Sequence, residues 1–375
     1  MSGASAPTIV AIGAAVIDEW YAVSNLPEPD GGAFASEVTT AFGGVGANVS
    51  VALDRLGRDV GLVSRVGDDE YGRRAREHLA DTGVDDTRVS VGGDPSTGSV
   101  ILSDPEGERA IVTTGESFRR LRLDAADREA IAAADVVFLT GYTPDAVSRA
   151  VLDLLDSLRP SERTDRDDSN DRAAPADRDP PTLVFDLSGP VEEMVGRGTE
   201  PATVNRLLHR ADVFVAGDVA AEAYFGGREV AIERITAAQR RRTDHDRERD
   251  GEGWPRAVLT HGADGMTAIA GGDVSEFDAF DVDVVDATGA GDAFVAGTID
   301  QWTARDAPAG DVLAGEAPTG DVLAGDTPVG DGVRFAAAVA ALNCTERFAQ
   351  GGLPTREAVT EFLAERRSDA SDTDD

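Results

Sequence analysis

The chain has no lysine. All 35 basic side chains among its 375 residues are arginines, and 70 aspartates and glutamates outweigh them to give a formal charge of −35 at pH 7. Without lysine there is no Walker A lysine, no protein-kinase strand lysine and no Schiff-base nucleophile. The acidic excess argues against nucleic acid or an anionic membrane as a partner. Such a charge repels itself at low salt and is screened within about 3 Å at molar salt, which predicts a salt-loving host. Cysteine is nearly absent as well: Cys344 stands alone, so no disulfide closes within the chain. The histidines His78, His209, His245 and His261 are scattered without ligand spacing and predict no zinc site. No apolar run reaches the about 18 residues of a membrane helix. Ile9 to Val16 is too short for a signal peptide and lacks its basic flank, so a soluble cytoplasmic protein is expected.

What is present reads as one large α/β domain with a core of ample size, 41% of the residues being hydrophobic. Thr8 to Ile12 reads as a short buried strand, with Asp18 just beyond it. Trp20 to Thr40 mixes Pro, Gly and β-prone pieces and reads as an excursion from the main sheet. Phe42-Gly43-Gly44-Val45-Gly46-Ala47-Asn48 then leads into a helix up to Gly57. Thr97 to Ser103 and Glu108 to Thr114 form a hairpin around Asp104-Pro105-Glu106-Gly107, whose order suits a type I turn. This hairpin and the excursion are expected to make a small second sheet, covering about residues 17–40 and 92–116. Strands and helices then alternate to Ala257–Leu259, which implies a doubly wound, mostly parallel sheet flanked by helices. Ligands of such sheets bind beyond the carboxyl ends of the strands.

Stretches 161–180, 240–253 and 303–331 break the rhythm and read as surface insertions. The last holds a tandem repeat, Gly310 to Thr319 and Gly320 to Val329, too short for a solenoid. Residues 368–375 read as an acidic solvated tail.

The chain is organised around Val284-Val285-Asp286-Ala287-Thr288-Gly289-Ala290-Gly291-Asp292-Ala293-Phe294, read as strand end, glycine turn and helix start. Gly289 and Gly291 let the backbone approach a ligand and aim unpaired N–H groups at one point, where the helix dipole also favours an anion. Asp292 in the first turn would repel that anion at rest, which suits a carboxylate with work to do on the anion's partner.

These residues resemble the ribokinase family, the phosphofructokinase-B-type carbohydrate kinases. Asp286 to Asp292 is close to the D-T-x-G-A-G-D signature, with Ala287 replacing the first Thr. Gly43-Gly44-x-x-x-Asn48 and Thr260-His261-Gly262-Ala263-Asp264-Gly265 match two further motifs in the family's order. The resemblance implies a ribokinase-like fold whose small sheet is a lid, with a dimer contact through that lid. It makes Asp292 the base for a substrate hydroxyl and the amides of Gly289, Ala290 and Gly291 an anion hole for the γ-phosphoryl group. Asp18, Gly43, Gly44 and Asn48 would bind substrate, and Thr260, Gly262, Gly265 and Thr288 the ATP. Mg²⁺ is expected near Glu222, although Asp218-Val219-Ala220-Ala221-Glu222 departs from the family's N-x-x-E. Asp286 and Thr288 stand where many members hold a monovalent cation such as K⁺. The leading expectation is an ATP-dependent sugar kinase. A nucleoside kinase of the same fold and a silent sugar or nucleotide sensor remain as rivals; a dinucleotide-dependent oxidoreductase is disfavoured because Gly13-Ala14-Ala15 lacks G-x-G-x-x-G.

Overall fold

A computed structural model describes residues 8–159, 180–245, 254–302 and 328–372. The N-terminal part runs β1 (Thr8–Ile12), β2 (Val16–Val23), β3 (Ala35–Gly43), α1 (Val45–Arg55), β4 (Asp59–Gly67), α2 (Glu70–Ala80), β5 (Val89–Gly92), β6 (Gly98–Ser103) and β7 (Arg109–Thr114). The middle continues through α3 (Ala125–Ala133), β8 (Val136–Thr140), α4 (Asp145–Ser157), β9 (Thr182–Asp186), α5 (Val191–Met194), α6 (Pro201–Arg210), β10 (Val213–Gly217), α7 (Asp218–Phe225) and α8 (Arg228–His245). The C-terminal part adds β11 (Arg256–Thr260), β12 (Met266–Ala270), β13 (Asp273–Phe277), α9 (Ala290–Trp302), α10 (Pro328–Asn343) and α11 (Arg356–Asp372).

The main sheet has the order β13-β12-β11-β10-β9-β8-β1-β4-β5. All its pairs are parallel except β11–β12 and β12–β13. Strands covered on both faces must be apolar throughout, and β8 (Val136-Val137-Phe138-Leu139-Thr140) is buried at every position. One core cluster joins α1, α9 and α10 to the sheet, and the other joins α4, α6 and α7 to it. From β1 the chain proceeds to β4 on one side and later to β8 on the other, so the strand order reverses at β1 and β8. A crevice opens at such a reversal.

The second sheet has the order β3-β2-β6-β7, built from the expected excursion and hairpin. It contributes Asp18 from β2 and Gly43 from the end of β3 to the crevice.

Three expectations change. No strand precedes the glycine turn: Val284 and Val285 are 62% and 58% exposed, and the Val285 and Asp286 amides donate to Cys344 O at 2.8 and 3.2 Å instead of to a neighbouring strand. β12 and β13, for which the sequence reading offers no element, form an antiparallel edge hairpin turning at Gly271-Gly272. α8 runs to His245, into the first of the stretch 240–253; there Gln239 donates to Pro255 O at 2.5 Å and Arg240 to Gly272 O at 3.0 Å, fastening the helix to the sheet edge. The stretch 161–180 except for its last residue, the first tandem repeat and most of the second lie outside the described residues, while α11 reaches Asp372.

Candidate active site

α9 begins at Ala290 directly after a turn in which Gly289 takes φ 77°. A Cβ at Gly289 would stand 2.6 Å from Ala349 O, so the turn can pack against the loop after α10 only with glycine. The Gly289 and Gly291 amides have no acceptor among the described residues, whereas Ala290 N–H makes a 3.2 Å turn bond to Ala287 O. Asp292 lies in the first turn, half-buried. Burial lifts its carboxyl to about 7, with help from the charges of Asp186 and Asp18 and against the hydrogen bond from Asn48.

α1 brings Asn48 to the same place: its Nδ2 donates to Asp292 Oδ2 at 2.7 Å. The Asn48 side chain is 5% exposed, and its Oδ1 accepts from Gln350 Nε2 at 2.8 Å. Gln350 Oε1 in turn lies 3.0 Å from His78 Nε2. Read outward from Asp292, each amide presents its NH₂ inward, which leaves His78 Nε2 to donate to Gln350. Asp292 Oδ1 has no partner among the described residues.

Asp18 faces this pair from β2. Its carboxyl is pushed up to about 6 by burial, opposed by hydrogen bonds from Ser99. A Cβ at Gly43 would come within 2.1 Å of Asp18 Oδ2, so this glycine makes room for the carboxylate. Gly44, at φ 96°, then caps α1. A third acid, Asp186, was not singled out from the sequence. It ends β9 beside the strand reversal, is 7% exposed, and burial raises it to about 6 against the bond from Ser188. Only its position at a strand's carboxyl end could have flagged it. Tyr142, on the loop after β8, has its phenol pushed up to about 12 by burial and by Glu193, Asp186 and Asp292.

Asp286 sits behind the glycine turn. Its Oδ1 accepts from Thr288 N at 2.9 Å, Thr288 Oγ1 at 2.6 Å and Arg109 Nη2 at 3.0 Å, and its Oδ2 accepts from Phe348 N at 2.9 Å. Burial would raise this carboxyl, but those bonds and the Arg109 charge hold it below the usual carboxylate range. Arg109, not singled out from the sequence, reaches here from β7 of the second sheet. Asn343 Nδ2 braces the loop from α10, donating to Thr288 O at 3.3 Å and to Ala349 O at 3.2 Å.

Thr260 ends β11, and Gly262 and Gly265 take φ 61° and 96° in the turn that follows. Within that turn His261 Nδ1 meets Asp218 Oδ1 at 2.7 Å and Nε2 meets Thr267 Oγ1 at 2.9 Å. Arg228 Nε adds a 3.0 Å bond to the same Asp218 oxygen and, with His261, lowers the Asp218 pKa. The departure from N-x-x-E thus has a structural use: Asp218 ties α7 to the turn after β11. Glu222 is exposed on α7, and no group of three metal-ligating side chains occurs among the described residues. Nor is any described helix long and apolar enough to cross a membrane.

A sequence model described as the pfkB family carbohydrate kinase matches residues 6–184 and 236–356. An ATP-dependent ribose-1-phosphate kinase of Halopiger xanaduensis is 29% identical over 347 residues, which cover 92% of this chain and 94% of that protein. Among solved structures, Arabidopsis thaliana ribokinase complexed with ribose and ATP matches with a TM-score of 0.70 at 21% identity, over 96% of this chain and 99% of that one. A double-mutant fructokinase from Vibrio cholerae O395, bound to fructose, ADP and potassium ion, matches with a TM-score of 0.67 at 20% identity, over 96% and 100%. At these identities the two structures speak for the fold alone.

Proposed function

Because this chain belongs to the pfkB family of carbohydrate kinases, we propose that it transfers the γ-phosphoryl group of ATP to a hydroxyl of a sugar or sugar derivative with Asp292 as general base. It is a phosphotransferase with an alcohol group as acceptor, acting on a small-molecule sugar. The observation that carries the residue-level reading is Asp292 itself: one oxygen is fixed by Asn48, the other is open, and the carboxyl titrates near 7 at the start of α9. A base works best with a pKa near the operating pH.

The substrate hydroxyl donates to Asp292 Oδ1. As its oxygen forms a bond to the γ-phosphorus, the bond from that phosphorus to the bridging oxygen of ADP breaks and the proton passes to Asp292. Amides at Gly289 and Gly291, with Ala290 once its long turn bond yields, stabilise the charge on the phosphoryl oxygens. Asp18, in the space left by Gly43, and Asn48 beside Gly44 orient the sugar. Thr260, Gly262, Gly265 and Thr288 line the nucleotide. Excluding water under the β3-β2-β6-β7 sheet prevents transfer to water. Exposed Val38 and Val112, which the strand register puts on the face opposite Asp18 and Trp20, give that sheet apolar outer residues for a dimer contact.

Mg²⁺ binds ATP through phosphate oxygens and water and needs only one or two protein carboxylates. Asp218 is committed to Arg228 and His261, so exposed Glu222 fits as that carboxylate, and the bound ion would neutralise phosphate charge. The donors for a monovalent cation do not fit, because Asp286 Oδ1 and Thr288 Oγ1 already meet Arg109.

ADP release at high KCl with Mg-ATP, screened over pentoses, hexoses, keto-sugar acids, ribose 1-phosphate and nucleosides, tests this reading. Ribose 1-phosphate is in the series because a relative 29% identical over 92% of this chain is an ATP-dependent ribose-1-phosphate kinase. Turnover with one sugar class is expected; turnover with none favours a sensor.

A further inference from the structure

We infer that the Arg109 guanidinium is the fixed cation of the Asp286 loop and stands in for an exchangeable monovalent metal ion. The inference depends on the kinase reading only for its activity readout.

Asp286 is 8% exposed. A carboxylate so enclosed needs a counter-charge and filled acceptor sites, of which it has about four. Four donors meet it here, with Thr288 N, Thr288 Oγ1 and Arg109 sharing Oδ1 and Phe348 N on Oδ2. Thr288 Oγ1 spends its one proton on Asp286 and accepts from Arg109 Nη1. A metal ion at this point would need the two oxygens that the guanidinium covers. The remaining carboxylate bonds all come from donors that cannot ligate a metal.

The guanidinium is itself held in place. Its carbon lies 5.4 Å from the centroid of the buried Trp20 ring, a cation–π distance. Trp20 meets Phe348 edge-on at 5.9 Å, and Phe348 supplies the amide on Asp286 Oδ2. Arg109 and Trp20 belong to β7 and β2 of the lid sheet, whereas Asp286, Thr288 and Phe348 belong to the body. The charge that settles the loop beside Gly289 therefore arrives with the lid. Closing the lid and completing the turn below α9 become one event, which no soluble ion reproduces. A metal ion would leave a dependence on ionic radius; a covalently tethered guanidinium leaves none.

The test compares the full chain with Arg109→Ala, Arg109→Lys and Arg109→Gln in KCl, NaCl, CsCl and tetramethylammonium chloride at one ionic strength. The readouts are ADP release and the thermal midpoint. The parent should respond equally to all alkali ions in both readouts, and Arg109→Lys should keep that indifference. Arg109→Ala should become selective for one ion, gaining about tenfold in rate and a higher midpoint, as linkage to an ion bound only by the folded state requires. Arg109→Gln serves in its place if the alanine variant does not fold. A parent already selective by ion size in its midpoint overturns the inference, and so does a folded Arg109→Ala no more selective than the parent. If no sugar is phosphorylated, the kinase reading fails while the midpoints still decide this one.

Discussion

Asn48 holds Asp292 by one oxygen only, through a 2.7 Å bond from Nδ2 to Oδ2. The bond favours the ionised carboxylate, and Gln350 fixes the amide that makes it. A hydrogen bond to a charged group is worth about 1.5–3 kcal/mol, so losing it moves the Asp292 pKa upward by roughly one to two units. Asn48→Ala is expected to shift the acid limb of the kcat profile to higher pH and to raise KM. Gln350→Leu, which leaves Asn48 in place but free to turn, should shift the limb by less and barely change KM. Steady-state kinetics from pH 5 to 9 check both.

Activity and stability should oppose each other at Asp292. Its folded pKa, about 7, lies above the ordinary aspartate value of 3.8. Between those values the folded state keeps a proton that the unfolded chain has lost, so this group's contribution to stability falls as pH rises through the window and is fully lost above about 7. kcat needs the ionised form and rises through the same pH. Asp292→Asn removes the charged form and is expected to melt higher than the parent at pH 8, by about 1 kcal/mol or more. Thermal melts at pH 5 and pH 8 check this, with the difference smaller at the lower pH.

Gly43→Ala places a methyl on Asp18 Oδ2, where the separation would be 2.1 Å. The carboxylate must turn away from the crevice. The expected outcome is a KM for sugar raised about tenfold or more with the ATP KM little changed, since about 1.4 kcal/mol separates each factor of ten.

The charge of −35 should make folding depend on salt. Ion pairs such as Arg73 with Glu70 and Glu77 are exposed and neutralise only a few of the acids. Loss of helical circular dichroism is expected on dialysis from molar KCl to low salt, with recovery on return.

Much of the fold was legible because the main-sheet strands are short apolar runs bounded by turn residues. β1 begins and ends where the sequence places it, and hairpin β6–β7 follows from Asp104-Pro105-Glu106-Gly107. The apparent strand at Val284-Val285 failed because β-branched residues satisfied local propensity while the amides of Val285 and Asp286 bonded to Cys344 O, a contact that no local pattern encodes. α8 was hidden because its arginines and glutamates give little apolar periodicity.

In the site, glycines and acids within motifs were readable, since a tight turn or a phosphate cradle restricts residue type. Asp186, Gln350, His78 and Arg109 were not. Each acts across the fold, and Arg109 lies 177 residues from the Asp286 it meets. An arginine on a strand of the second sheet looks like any solvated base until the tertiary structure packs it onto Trp20 and Asp286.

The most direct test is kcat for Asp292→Asn beside the parent, at pH 8 and saturating Mg-ATP, with the sugar that the screen identifies. The account predicts a drop of about 10²–10⁴-fold with a folded protein and near-unchanged nucleotide affinity. An Asp292→Asn enzyme that turns over as fast as the parent would contradict it.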